Sequence, residues 1–398
     1  MAMALDARQP RGGGVLRSGE RITRIEGFEL SCAMPSLSGN ALRVFRERST
    51  LLVRIVTSSG HEGWGETWAY PGPAGSMIRS TLGPMLLGAD VANPRAAQAR
   101  LLQAAIPDRR GQTHMAASAL DIAMWDALGQ LTGEPLHALM GGALRDSVRA
   151  YASGPLLNAD GDRYAGFEDE IARYAQTGFQ AVKIRIGASL EADLQAIGQA
   201  RGILGETALL MADLNESSTV RDTVALVQRA GEANLAWIEE PVPHDDIAAY
   251  RRLATALPVA LAGGESFCGV QAFRDAVRVG ALDILQPDLA ICGGITEGLR
   301  IAGLADAFDL PVCPHVWGAG VNFLASLQFA AILTPGRGRV AAPLFEYDMS
   351  FNPLRERVYD PRPDAHGNLA VPDGPGLGMP VQIDRLADYV RDHWVVEP

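Results

Sequence analysis

No apolar run in this 398-residue chain approaches the roughly 20 residues that a membrane span requires. Positive charge is also short: 35 Lys and Arg stand against 46 Asp and Glu, a formal net charge of −11. That balance offers no basic patch for nucleic acid or an anionic membrane, so neither is expected as a partner. Cysteine is scarce. Cys32, Cys268, Cys292 and Cys313 lie far apart with no C-x-x-C pair, which suggests no disulfide framework and suits a reducing cytoplasm. The common nucleophile signatures are missing: there is no G-x-S-x-G elbow, no P-loop and no H-E-x-x-H. GESFCG is not a cysteine-protease signature, so Cys268 reads as a small buried hydrophobe. Low complexity is confined to residues 1–18, Arg- and Gly-rich and without an adequate apolar h-region. They read as a flexible leader rather than a secretory signal.

What is present describes a folded globular chain, 47% hydrophobic and 20% charged. The length suits a barrel plus a smaller domain. ITRIEGFELS and STLLVRIVTS alternate with period two and are followed by HEGWGE, which predicts antiparallel strands. MIRSTLGPMLL and MAASALDIAMWDALGQLTG then carry apolar residues at helical spacing, with Gly133 and Pro135 as stop signals. Residues 19–140 therefore read as a small α+β domain. From about residue 146 strands and helices alternate. The candidate strands are VRAYAS, AVKIRI, LLMADLN, AWIEEP, VALAGG, ILQPD, PVCPHV and PLFEYD. Eight of them favour a parallel α/β barrel over residues 146–371. IDRLADYVRDHW reads as a final helix.

Four acidic residues end successive strand-like runs: Asp213, Glu239, Glu265 and Asp288, spaced by 26, 26 and 23 residues. That period is about one βα unit, so the four point to one shared site at the barrel mouth. Singly each is weak, because an Asp before a helix is often an N-cap. Glu239 beside Glu240 is harder to dismiss, since adjacent carboxylates cannot both be buried without compensation. The first three suit a hard divalent cation, which prefers oxygen ligands. Lys183 and Arg185 lie two apart on an apolar strand and so share a face; both are expected to point into the barrel. They could neutralise a substrate carboxylate, and a lysine whose pKa neighbouring cations lower can serve as a base. His315 follows Asp288 by one barrel unit, and an imidazole oriented by a carboxylate is an acid/base arrangement. Glu346 ends the last strand and could hydrogen-bond a developing oxyanion if protonated.

The motifs SALDIAMWDALG, K-x-R, D-x-N, WIEEP, GGE, QPD…CGG and PHVWG together resemble the enolase superfamily, in its mandelate racemase/muconate lactonising enzyme group. The resemblance covers nearly the whole chain after the leader. It implies a modified TIM barrel, (β/α)7β-like, with an α+β capping domain that residues 372–398 join. It implies Mg²⁺ on Asp213, Glu239 and Glu265, a His315–Asp288 dyad, and Lys183 near the substrate carboxylate. Glu346 matches the acid that stabilises an enediolate. Asn215, Glu240 and Trp317 are expected around this core or against substrate. The capping segments SCAMPSLSGNALRVF and ETWAYPGPAG should be the loops that choose the substrate. HVWGAGV and VPDGPGLG look like members acting on sugar acids and their lactones, including cycloisomerases of the galactarolactone type. A small-molecule carboxylate partner and a homo-oligomer are implied. The departure is Arg185, which stands where racemases of the family hold a lysine base. Arginine stays protonated, so β-elimination, giving a dehydratase or a lactone cycloisomerase, is favoured over racemisation. A racemase and a silent metal-stabilised binding protein remain the alternatives at this point.

Overall fold

The structure, a computed structural model, describes residues 19–105, 111–338, 340 and 342–398; the expected leader, residues 1–18, lies outside them. The chain opens on three long strands, β1 (Ile22–Gly39), β2 (Val44–Thr57) and β3 (Glu62–Thr67), paired antiparallel in order. Their alternating residues put Ile22, Ile25, Leu51, Val53 and Ile55 into one core. The helix Gln112–Thr132 packs on that face and ends where Gly133 takes a left-handed φ of 74°, as a C-terminal glycine allows.

The second layer is a curled parallel sheet. Its strands are β4 (Ser147–Ser153), β6 (Ala181–Arg185), β7 (Leu209–Asp213), β8 (Trp237–Glu239), β9 (Ala260–Gly263), β10 (Ile284–Leu285) and β11 (Phe345–Asp348). They run in the order β10-β9-β8-β7-β6-β4-β11. β5 (Leu157–Asn158) pairs with β1, and β12 (Asn368–Ala370) pairs antiparallel with β4. Helices follow the strands, and several start on a side-chain cap: Ser189, Thr219 and Asp246 each accept from a backbone N–H three residues on. With the antiparallel sheet above it, this is a modified TIM barrel carrying a capping domain.

Three expectations need correction. PVCPHV is no strand: it contributes one isolated bridge, Leu285 to Val312. Pro311 and Pro314 have no N–H to give a ladder; Cys313 and His315 donate to backbone, to Leu285 O at 2.9 Å and Pro287 O at 3.2 Å, while Val316 donates to a side chain, Glu346. IDRLADYVRDHW is not a final helix either. Ile383–Tyr389 is a 3₁₀ turn, and Val390–Val396 is strand β13, antiparallel to β1. Trp394 and Val396, two apart, face the capping core, so the pattern is period two against a free sheet edge. Finally, SCAMPSLSGNALRVF is mostly ordered strand, β1 and β2 joined by a turn at Asn40–Arg43.

Candidate active site

Strand register brings the polar residues together. Ser153 stands opposite Lys183, Arg185 opposite Asp213, Asp213 opposite Glu239, and Asp348 opposite Ser153. Glu265 follows Gly263 and Gly264, the latter at a φ of 115° where a Cβ would strike Phe273 at 2.6 Å. Lys183, Arg185, Asp213, Glu239, Asp288, His315 and Glu346 are all buried, while Glu265, Asn215 and Trp317 are half-buried at the rim.

Lys183 is the hub of the anionic side. Its Nζ bonds Glu239 and reaches Glu346 at 2.9 Å and Asp213 at 3.6 Å. Burial alone would depress its pKa, but Glu239 and Glu346 hold it well above the ordinary value. That direction is opposite to the lowering a lysine base needs, because the groups around Nζ are anions that the expected cation would share. Glu346 moves the other way. Burial raises it, yet Lys183, His315 and Arg185 bring it down to about 2, so it is a carboxylate and not the protonated acid anticipated from sequence. Its Oε2 accepts from Val316 N at 2.9 Å.

Glu239 also accepts from Trp237 Nε1 at 2.9 Å and Gln286 Nε2 at 2.7 Å. Asp213 is gripped by Asn215, through the backbone N–H at 2.8 Å and Nδ2 at 3.0 Å. Glu240 accepts from Gly264 N at 3.1 Å; burial first, then Glu265 and Glu216, push its pKa well up.

The other face carries the dyad. His315 Nδ1 meets Asp288 Oδ2 at 2.8 Å, and Nε2 lies 3.3 Å from Glu265. Asp288 also takes bonds from Trp68 Nε1 at 2.8 Å, Asn322 Nδ2 at 3.1 Å and Ala290 N at 2.8 Å. Surrounded by donors, it is an acceptor for the imidazole too, which assigns the proton to Nδ1 and leaves Nε2 facing the site. Burial lowers the His315 pKa, but Glu265, Glu346 and Asp288 outweigh it and push it up to about 10; a cation held by Glu265 would offset that carboxylate's charge at Nε2 and return the ring toward its neutral, proton-accepting form. Trp68 and Asn322 were missed in the sequence. Trp68 lay within ETWAYPGPAG and Gln286 within QPD, whereas nothing near Asn322 marked it.

Among the described residues, no group of three or more His, Cys, Asp or Glu side chains is drawn to a common ligating point. Glu239 turns to Lys183 and Glu265 to His315 instead. The donor chemistry nonetheless fits a hard divalent cation. Burial raises Asp213, Glu239 and Glu265, and each is raised further by one of the others: Asp213 by Glu265, Glu239 by Asp213, Glu265 by Glu239. Carboxylates crowded enough to oppose one another's ionisation are relieved by a cation between them. Asn215 Oδ1, beside them, is buried without a hydrogen-bond partner.

Comparison with known proteins gives the family of the chain. Residues 166–385 match the family described as enolase C-terminal domain-like, and residues 38–141 the mandelate racemase/muconate lactonizing enzyme N-terminal domain. A D-galactarolactone cycloisomerase of Agrobacterium fabrum is 37% identical over 93% of this chain and 98% of its own. An arabinonate dehydratase of Saccharolobus solfataricus is 31% identical over 84% and 89%. The crystal structure of a racemase from Streptomyces coelicolor with bound magnesium superposes with a TM-score of 0.82 at 25% identity, covering 93% of this chain and 99% of that one.

Proposed function

The chain belongs to the mandelate racemase/muconate lactonizing enzyme family of the enolase superfamily, and on that premise we propose that it eliminates a β-substituent from a sugar acid through an enediolate. The observation that carries this reading is an asymmetry. One face of the site holds an oriented imidazole, His315 on Asp288. The other holds Lys183, ion-paired to Glu239 and Glu346, and Arg185, a permanent cation. Exchange of configuration needs a proton acceptor on each face; elimination needs one.

His315 Nε2 takes the α-proton, and Asp288 stabilises the imidazolium that results. Lys183 and Arg185 hold the substrate carboxylate by charge in a dry site, where such interactions are strong. Asp213, Glu239 and Glu265 would hold Mg²⁺, with Asn215 Oδ1 as a further oxygen. Bound there, the cation supplies positive charge against the negative charge that develops on the substrate carboxylate. Glu346 anchors Lys183, and Glu240 braces the Gly264 turn that presents Glu265. With hydroxyl as leaving group the enzyme is an acid-sugar dehydratase. With a lactone ring oxygen it is a cycloisomerase, a reading favoured by the 37% identity to the galactarolactone enzyme.

Incubation with sugar acids and their lactones in D₂O with Mg²⁺, followed by NMR, tests this. A 2-keto-3-deoxy acid from an open-chain substrate supports dehydration, and ring transfer from a lactone supports cycloisomerisation. Recovered substrate deuterated at the α-carbon with inverted configuration would sink the one-base mechanism. His315→Asn should lower kcat by about 10²–10⁴-fold; full retained activity would refute its role.

A further inference from the structure

The end of β3 reaches out of the cap and into the barrel. Glu66 and Thr67 close that strand and Trp68 follows it. All three side chains bond across the boundary, to barrel segments 288–290 and 319–322. Glu66 accepts from Asn322 N at 2.7 Å and from Ala319 N. Thr67 Oγ1 donates to Ala290 O at 2.8 Å, and Trp68 Nε1 donates to Asp288 Oδ2 at 2.8 Å. The loop after His315 comes this close because Gly318, at a φ of 92°, carries no side chain. A Cβ there would lie 2.5 Å from Glu66 Oε1 and 3.0 Å from Trp68 Cδ1.

Only the bond from Trp68 falls directly on the dyad. Asp288 Oδ2 is the same oxygen that meets His315 Nδ1, also at 2.8 Å, so the indole and the imidazole share it. Oδ1 takes Asn322 Nδ2 at 3.1 Å and Ala290 N at 2.8 Å. A carboxylate offers about four acceptor positions, and here all are filled, three from the barrel and one from the cap. An indole N–H can only donate, which fixes the sense of the bond. Glu66 supports the same carboxylate at one remove, since the Asn322 whose N–H it accepts gives its Nδ2 to Asp288. The Trp68 ring also flanks the base, its centroid 6.1 Å from that of His315 and 6.5 Å from that of Trp317. Asp288 is fully buried, so a donor lost there is costly to replace.

We propose that Trp68 is a positioning residue, contributed by the cap, that aims the His315–Asp288 dyad. The proposal rests on the reading of His315 as the proton acceptor. With Trp68 in place the carboxylate cannot rotate, and the imidazole on its Oδ2 presents Nε2 in one direction. Misplacing a reacting group by about 1 Å costs on the order of 10²-fold in rate. The proton acceptor is thus complete only when cap and barrel are docked, which ties the domain that closes over the substrate to the chemistry beneath it.

The test uses the Mg²⁺-loaded wild type, Trp68→Phe and His315→Asn, with galactonate, galactarate and its 1,4-lactone as probes. Trp68→Phe keeps an aromatic ring and removes the donor. It should lower kcat, and α-proton exchange in D₂O, by about 10- to 100-fold with KM within about threefold. The downfield imidazole N–H resonance that His315→Asn abolishes should move and broaden in Trp68→Phe, because Oδ2 has lost a donor and the carboxylate can turn. A resonance that stays in place overturns the proposal. So does a loss carried by KM with kcat intact, which would make Trp68 part of the substrate wall. Where Trp68→Phe does not fold, Asp288→Asn reads the same bond from its other end: one of the six indole N–H resonances should shift, and six unmoved ones overturn the proposal. Wild type that turns over none of the probes removes the sugar-acid reading, while the resonances still decide the role of Trp68.

Discussion

Lys183 holds together charges that would otherwise repel. It is fully buried, and Asp213, Glu239 and Glu346 converge on its one ammonium. Breaking a buried ion network by removing one partner leaves uncompensated charge, typically at about 3–5 kcal/mol. Lys183→Met should therefore lower unfolding stability by roughly that amount in EDTA, read from the denaturant midpoint. A loss below about 1 kcal/mol would mean that the carboxylates absorb the change by taking up protons. Arg185 beside it shows how a single residue narrows the proposed chemistry: Asp213, Asp348 and Glu346 outweigh burial and hold it charged, and a permanent guanidinium suits binding a carboxylate rather than exchanging a proton.

At the scale of elements, β13 lies against β1 so closely that Gly27 has no room for a side chain. A Cβ there would meet the Trp394 ring at 2.0 Å. Gly27→Ala should destabilise the cap by about 1–3 kcal/mol, as overpacking does, with a lowered melting temperature; unchanged melting would show that Trp394 swings aside freely. The same strand explains what the sequence did not disclose. IDRLADYVRDHW has helix formers and charges at helical spacing, and only a free edge far back in the chain, where Trp394 pairs with Gly27 and Val396 with Ile25, makes them read as a strand. PVCPHV was misread from its apolar content, although its two prolines argued for the bridge that forms. The legible parts were those where local pattern and tertiary use agree. Gln112–Thr132 is helical through the MAASALDIAMWDALGQLT segment whose apolar spacing marked it, and Lys183 and Arg185 are both buried on one strand as alternation requires. Trp68 gave no local signal of its use, since its partner Asp288 lies 220 residues away.

At the scale of the molecule, buried carboxylates staple the cap, Asp121 and Glu66 to the barrel and Asp126 to the C-terminal segment that joins it. Asp121 accepts from Thr296 N and Oγ1, Asp126 from Trp64 N and Leu377 N, and Glu66 from Ala319 N and Asn322 N. Burial outweighs these bonds and pushes their pKa values up to about 7, about 6 and about 7. A raised carboxyl pKa means that the folded state holds its proton more tightly than the unfolded chain. Stability from these groups is then fully present below the unfolded value near 4 and is lost as pH rises through 6 to 7. For Asp121 the loss is on the order of 4 kcal/mol. Asp121→Asn removes that slope, so the stability gap between wild type and variant should narrow from pH 5 to pH 8. A gap that stays constant from pH 5 to pH 8 would mean that Asp121 is ionised throughout.

The pairing of β13 with β1 also orders events in time. Synthesis delivers β1, β2 and β3 first, yet their outer edge stays open until residues 390–396 have been made and returned to it. The barrel strands, all lying between, can pair before then. The antiparallel cap sheet is consequently translated ahead of the barrel strands and sealed after them.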